Sequence, residues 1–178
     1  MSASNDWPAA SVGARLETED GICVLTYQKL DAQAIIASVA DDRAGATAVF
    51  IGTTRDSFKG KVVTRLDYQA YSKVAVKTIA DIIRKARRQT FRSEHHADGY
   101  VSSIIKCAVH HRLGTVPVSE PSIVIAVSSP HRKESFMACE YILEEVKRKA
   151  QIWKREFYEG EREEDAEWKE NITTSMAS

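Results

Sequence analysis

Between residues 72 and about 92, apolar side chains return at Ala75, Ile79, Ile82, Ile83 and Ala86, the spacing of one face of a helix. The opposite face carries Arg84, Lys85, Arg87 and Arg88. A helix with a single apolar stripe must lay it on a second layer, and short β-rich runs at 22–27, 46–51, 62–68, 101–109 and 122–128 are the natural candidates. Two more helical stretches are expected. Asp31 is placed to cap a short helix running to Val39, and a long helix over 129–150 puts Phe136, Cys139, Leu143 and Val146 on one stripe. The turn-rich stretches 53–60, 93–99 and 110–121 separate these elements. This order predicts an α+β domain. At 178 residues the chain suffices for one such domain, here 21–171, with a polar leader at 1–20 and a flexible tail at 172–178.

Composition excludes several classes. Lys plus Arg (25) equals Asp plus Glu (25), so there is no excess charge to hold nucleic acid or an anionic membrane. The basic face of the 72–92 helix lacks the interleaved aromatics of an RNA surface. Residues 157–171 concentrate seven carboxylates against Arg162 and Lys169, a pattern usual for a solvated face. Cys23, Cys107 and Cys139 are far apart and lack ligand spacing, which argues against a disulfide framework or a metal site. No apolar run reaches membrane-spanning length and no secretory signal opens the chain, so a cytoplasmic protein is expected.

The chemistry concentrates in basic residues. Lys147 and Lys154 flank the apolar pair Ile152-Trp153 in K-R-K-A-Q-I-W-K-R-E. Two readings stay open: a helix end whose cations complement its dipole, with Trp153 as a core plug, or a site where desolvation prepares a lysine for proton transfer or nucleophilic attack. In S-S-P-H-R, a serine cap and a proline at the first helical position would set His131 and Arg132 beside the free N–H groups of a helix start, where an anion is favoured. Arg55 sits in a glycine-flanked loop, and His111-Arg112 follows a strand either as a structural hydrogen-bonding pair or as ligands. Together Arg55, His131, Arg132, Lys147 and Lys154 supply several cations and no nucleophilic triad, which describes a pocket for an anionic substrate.

The ordered blocks A-V-F-I-G-T-T-R-D, L-D-Y-Q-A-Y, H-H-R-L-G, A-V-S-S-P-H-R-K-E-S-F-M-A-C and I-W-K-R-E, closing with Trp168, resemble the large catalytic subunit of molybdopterin synthase, the MoaE family. The resemblance implies an α/β hammerhead fold, a mixed or antiparallel sheet with packed helices. It implies a homodimer of large subunits within a heterotetramer, each binding a small ubiquitin-like sulfur carrier similar to MoaD. Sulfur then passes from the carrier's C-terminal thiocarboxylate to cyclic pyranopterin monophosphate, forming the dithiolene of molybdopterin without a resident cofactor or metal. The same resemblance assigns Lys147 and Lys154 to the two essential lysine positions, and Thr53, Thr54, Arg55, His131, Arg132, Arg155 and Glu156 to substrate binding. The sequence departs from the family at Ala150-Gln151, where a proline is usual, in L-D-Y-Q-A-Y for L-E-Y-E-A-Y, and in a lengthened stretch near 87–99. A noncatalytic docking subunit and a metal-independent phosphoester hydrolase are the competing classes.

Geometry adds one expectation of its own. Sixteen residues of one helix separate His131 from Lys147, about 24 Å at roughly 1.5 Å per residue. One small substrate cannot touch both within a subunit, so a site shared across the dimer is expected, with His131 and Arg132 supplied by the second chain.

Overall fold

The computed structural model describes residues 8–89 and 104–170. Along them run β1 (Ala14–Thr18), β2 (Gly21–Thr26), α1 (Ala32–Ser38), β3 (Ala46–Thr53), β4 (Ser57–Phe58), β5 (Lys61–Ala70) and α2 (Ser72–Arg88). Then follow β6 (Lys106–Arg112), β7 (Gly114–Pro117), β8 (Pro121–Ser129), α3 (Arg132–Lys149), β9 (Ile152–Tyr158) and, after a short 3-10 turn, β10 (Lys169–Glu170).

The continuous apolar run of β8 explains its place at the centre of the first sheet, because a strand covered on both faces needs no polar alternation. Its alternate residues serve two cores. Ile123, Ile125 and Val127 join the large cluster with Ile79 and Ile83 of α2 and Ile142 of α3, while Val124 and Ala126 meet Ile35 of α1 and Val39 just past its end on the other side. The sheet order is β1-β2-β6-β8-β3, with β2 and β6 parallel and the other neighbours antiparallel. The second sheet runs β10-β9-β5-β4, with β7 also on β5. This is the expected α+β class, with a mixed sheet.

Four local expectations need correction. The 1–20 leader contains β1, which pairs antiparallel with β2; Asp20 in their connection accepts from Arg84 at 3.3 Å and pairs with Arg87 at 3.5 Å, so the basic face of α2 is partly used inside the chain. The proposed serine-capped helix start is a strand end instead. Ser128 and Ser129 pair with Thr47 and Ala46, Ser128 Oγ accepts from the Lys106 N–H at 3.1 Å, and α3 begins after His131 with no side-chain cap bond. Sheet pairing outweighed the local capping signal there. The turn-rich stretches at 53–60 and 110–121 hold the short strands β4 and β7. Finally, K-R-K-A-Q-I-W-K-R-E is no single helix end, because α3 stops at Lys149 and β9 starts at Ile152.

The acidic segment after β9 folds back on the second sheet. Lys61 pairs with Glu161 and Arg65 pairs with Glu163 at 2.9 Å. The expected loop at 93–99 and the tail at 172–178 lie outside the described residues.

Candidate active site

A cavity of about 350 Å³ opens where the two sheets meet the C-terminal half of α3, a size typical of small-molecule sites. Each element contributes for a local reason. On α3, Leu143 and Lys147 are four residues apart and so share a face, and both line the cavity. On β9, period-two alternation sends Lys154 and Glu156 to the cavity face. Their partners in register on β5, Tyr68 opposite Lys154 and Leu66 opposite Glu156, line it as well. The β3–β8 register shifts between Gly52 and Thr53, the pairing runs out at Thr53 opposite Pro121, and Thr53 and Arg55 reach the rim. Phe50, Leu66 and Leu143 supply apolar wall.

The cations in this cavity differ in what they already hold. Lys154 Nζ stands 3.4 Å from Glu156 Oε1, and Glu156 also accepts from the Tyr158 hydroxyl. Burial alone would raise the Glu156 pKa, but the Tyr158 bond and the Lys154 charge keep it below the usual carboxylate range. Tyr158 is itself pushed up to about 12, by burial first and then by its bond to Glu156, so it stays a donor. Lys147, partly buried, has no ion pair with any described residue. Arg55 is exposed, with its guanidinium 5.6 Å from the centre of the Phe58 ring. Among the described residues a lysine without an ion pair, a tethered lysine and a rim arginine share one cleft, an arrangement able to receive an anion and to stabilise developing negative charge.

The structure therefore brings together Thr53, Arg55, Lys147, Lys154 and Glu156 among the residues expected from sequence. It sets four others elsewhere. Thr54 is buried, with its hydroxyl donating to the Val116 carbonyl at 3.3 Å. Arg155, between Lys154 and Glu156, faces the other side of the sheet, where it pairs with buried Asp67 at 3.2 Å and lies over the Phe157 and Trp168 rings. His131 and Arg132 are exposed at the opposite end of α3 and do not line the cavity. Trp153 is also turned off the cavity, so Leu143, Leu66 and Phe50 do the desolvating that the sequence assigned to it. Tyr68 and Ser122 line the cavity without having been singled out from sequence, and His111, left open there between a structural and a ligand role, lines it as well. Strand alternation from Lys154 across to β5 is the signal that would have found Tyr68.

The family model described as MoaE protein matches residues 25–149. The chain belongs to the MoaE family. Molybdopterin synthase catalytic subunit 2 of Aedes aegypti is 44% identical over 153 residues, which is 86% of this chain and 91% of that protein. Among solved structures, molybdopterin synthase from Staphylococcus aureus superimposes with a TM-score of 0.69 at 28% identity, covering 82% of this chain and 94% of the other. A complex of subunits 1 and 2 of molybdopterin-converting factor from Helicobacter pylori shares the fold, at a TM-score of 0.61 and 19% identity over 79% of this chain and 87% of that one.

Proposed function

We propose that this chain is the catalytic subunit of a molybdopterin synthase, moving sulfur from the C-terminal thiocarboxylate of a small ubiquitin-like carrier onto cyclic pyranopterin monophosphate to build the dithiolene. The observation that carries this reading is Lys147, an ammonium without an ion-pair partner among the described residues, in the same cleft as Lys154 and Arg55. Family membership and the catalytic-subunit relatives support it, and the Helicobacter pylori protein of this fold is seen in complex with a second subunit.

In this reading Lys147 stands at the reaction centre, as acid/base or transient acceptor of the carrier's acyl group. Lys154, held by Glu156, stabilises the anionic intermediates, and Arg55 binds phosphate or pterin oxygens at the rim. His131 and Arg132 complete the site from a neighbouring subunit, since their own cavity is a helix length away. Thr54 and Arg155 act through packing and ion pairing rather than by touching substrate. Sulfur arrives on the partner, so the three buried cysteines have no part in the transfer. Among the described residues no helix is long and apolar enough to cross a membrane, which agrees with a cytoplasmic enzyme.

Purified chain with thiocarboxylated carrier and cyclic pyranopterin monophosphate should yield the dithiolene product. A complex that forms without product would identify a docking subunit, and phosphate release in the absence of carrier would identify a phosphoesterase.

A further inference from the structure

His111 lies at the cavity's floor on β6, and only 1% of its surface is exposed. Its ring meets the Tyr68 ring edge-on, with centroids 4.9 Å apart and planes at 73°. Nδ1 is 2.8 Å from the Arg112 carbonyl oxygen. A carbonyl can only accept, so Nδ1 carries the hydrogen and Nε2 is left with a lone pair. Nε2 has no hydrogen-bond partner among the described residues, yet it is not one of the polar atoms sealed inside the protein. The small exposed part of this side chain thus includes a nitrogen that can only accept a hydrogen bond.

The other polar groups of the cavity are committed or ambivalent. Glu156 accepts from Tyr158 and pairs with Lys154. The Ser122 hydroxyl donates to the Gly52 carbonyl at 3.2 Å, and Ser57 donates to Asp56 at 3.0 Å. Arg55, Lys147 and Lys154 are donors. A site rich in donors suits phosphate, but a pterin ring also presents N–H and amino groups that lose water on entering and need acceptors.

We propose that His111 Nε2 is the acceptor that recognises an N–H or amino donor of the pterin ring, orienting the heterocycle while the cations hold its phosphate. The assignment rests on the molybdopterin synthase reading and specifies how that site selects a pterin over other phosphates. Burial lowers the imidazole pKa from 6.5 to about 4, with the Arg112 carbonyl opposing, so the ring stays neutral and keeps its lone pair at neutral pH.

The test uses the assembled complex with its thiocarboxylated carrier and three variants. His111→Phe keeps the ring against Tyr68 but has no acceptor. His111→Asn keeps a donor for the Arg112 carbonyl and lacks the cavity-facing atom, while His111→Gln can place an amide oxygen where Nε2 was. For H111F and H111N, KM for cyclic pyranopterin monophosphate should rise about tenfold or more, as expected when a desolvated donor loses its partner. Competitive inhibition by inorganic phosphate should be unchanged, and H111Q should recover most of the lost KM. An unchanged KM in folded H111N overturns the proposal, as does an equal loss of pterin and phosphate binding, which would mark a merely structural residue. If wild-type complex makes no dithiolene, the molybdopterin synthase reading fails instead, so the two failures are distinguishable.

Discussion

Acidification should weaken the fold through His111 at a pH above the window of the carboxylates. The imidazole is fully buried and its pKa falls from 6.5 to about 4, chiefly by desolvation. The unfolded chain therefore takes up this proton first, and stability present above pH 6.5 is lost as pH falls toward 4. A difference of about 2.5 pH units at 1.36 kcal/mol each limits the effect to about 3 kcal/mol, of which about 2 kcal/mol should be gone between pH 7 and pH 4.5. Tyr68 and the Arg112 carbonyl contact it, and Glu156 and Lys154 line the same cavity. Glu156, like Glu120, Glu145 and Glu163, has a lowered pKa, so its contribution is lost only below about pH 4.5, the ordinary Glu value, and overlaps little. His110 is also lowered by burial and by the Arg15 charge, and adds in the same direction. Urea unfolding at half-unit steps from pH 7 to 4.5 measures the slope for wild type and H111F. The variant should lose about 2 kcal/mol less over this range. Identical slopes would refute the claim that this histidine is held neutral by burial.

Three further outcomes follow from packing and pairing. Asp67→Asn removes the charge that buried Asp67 offers to Arg155 and Arg65 and should cost about 2 kcal/mol, the lower side of a broken buried pair because both guanidiniums keep some water; thermal unfolding checks it. Gly45→Ala would place a Cβ 2.3 Å from the Pro130 carbonyl oxygen, a backbone contact that cannot yield cheaply. It should destabilise by more than about 1 kcal/mol and displace the His131 turn, seen as a lower unfolding temperature and a loss of sulfur transfer larger than the stability loss explains. Cys23, Cys107 and Cys139 are buried with thiol pKa values pushed up by desolvation, so native protein should resist iodoacetamide at pH 8 and retain activity, whereas denatured protein should take up three labels. Rapid labelling of the folded chain would contradict the core assignment.

Much of this was legible in the sequence, and the failures have physical causes. The stripe on α2 and the Asp31 cap are both present, the cap with Asp31 Oδ1 accepting from the Ala34 N–H at 3.0 Å. Periodicity and capping act over one helical turn, and there local sequence decides. β1, β7 and β9 escaped because each is made by its partners. Ala14–Thr18 is polar on alternate residues and gains order from β2, and β9 takes its identity from pairing with β5 rather than from its charged side chains. The same cause set Arg155 off the site. A run of charged residues reads as one patch in sequence, but β9 deals them to opposite faces, and period two is invisible until the segment is known to be a strand. For His111 the sequence left a structural and a ligand role open, because its unpartnered Nε2 depends on what surrounds it in space.

The measurement that bears most directly on the central claim mixes two inactive chains. Lys147→Ala and Arg132→Ala homodimers, each with carrier bound, should both be nearly inert. Exchange of their subunits should restore up to about a quarter of wild-type sites if His131 and Arg132 reach a neighbour's cavity, because each mixed dimer then holds one intact site and mixed dimers form half of a random population. Recovery of dithiolene formation near that level is the predicted result. A mixed population as inactive as its parents, with subunit exchange verified by mass, would contradict the shared site built around Lys147.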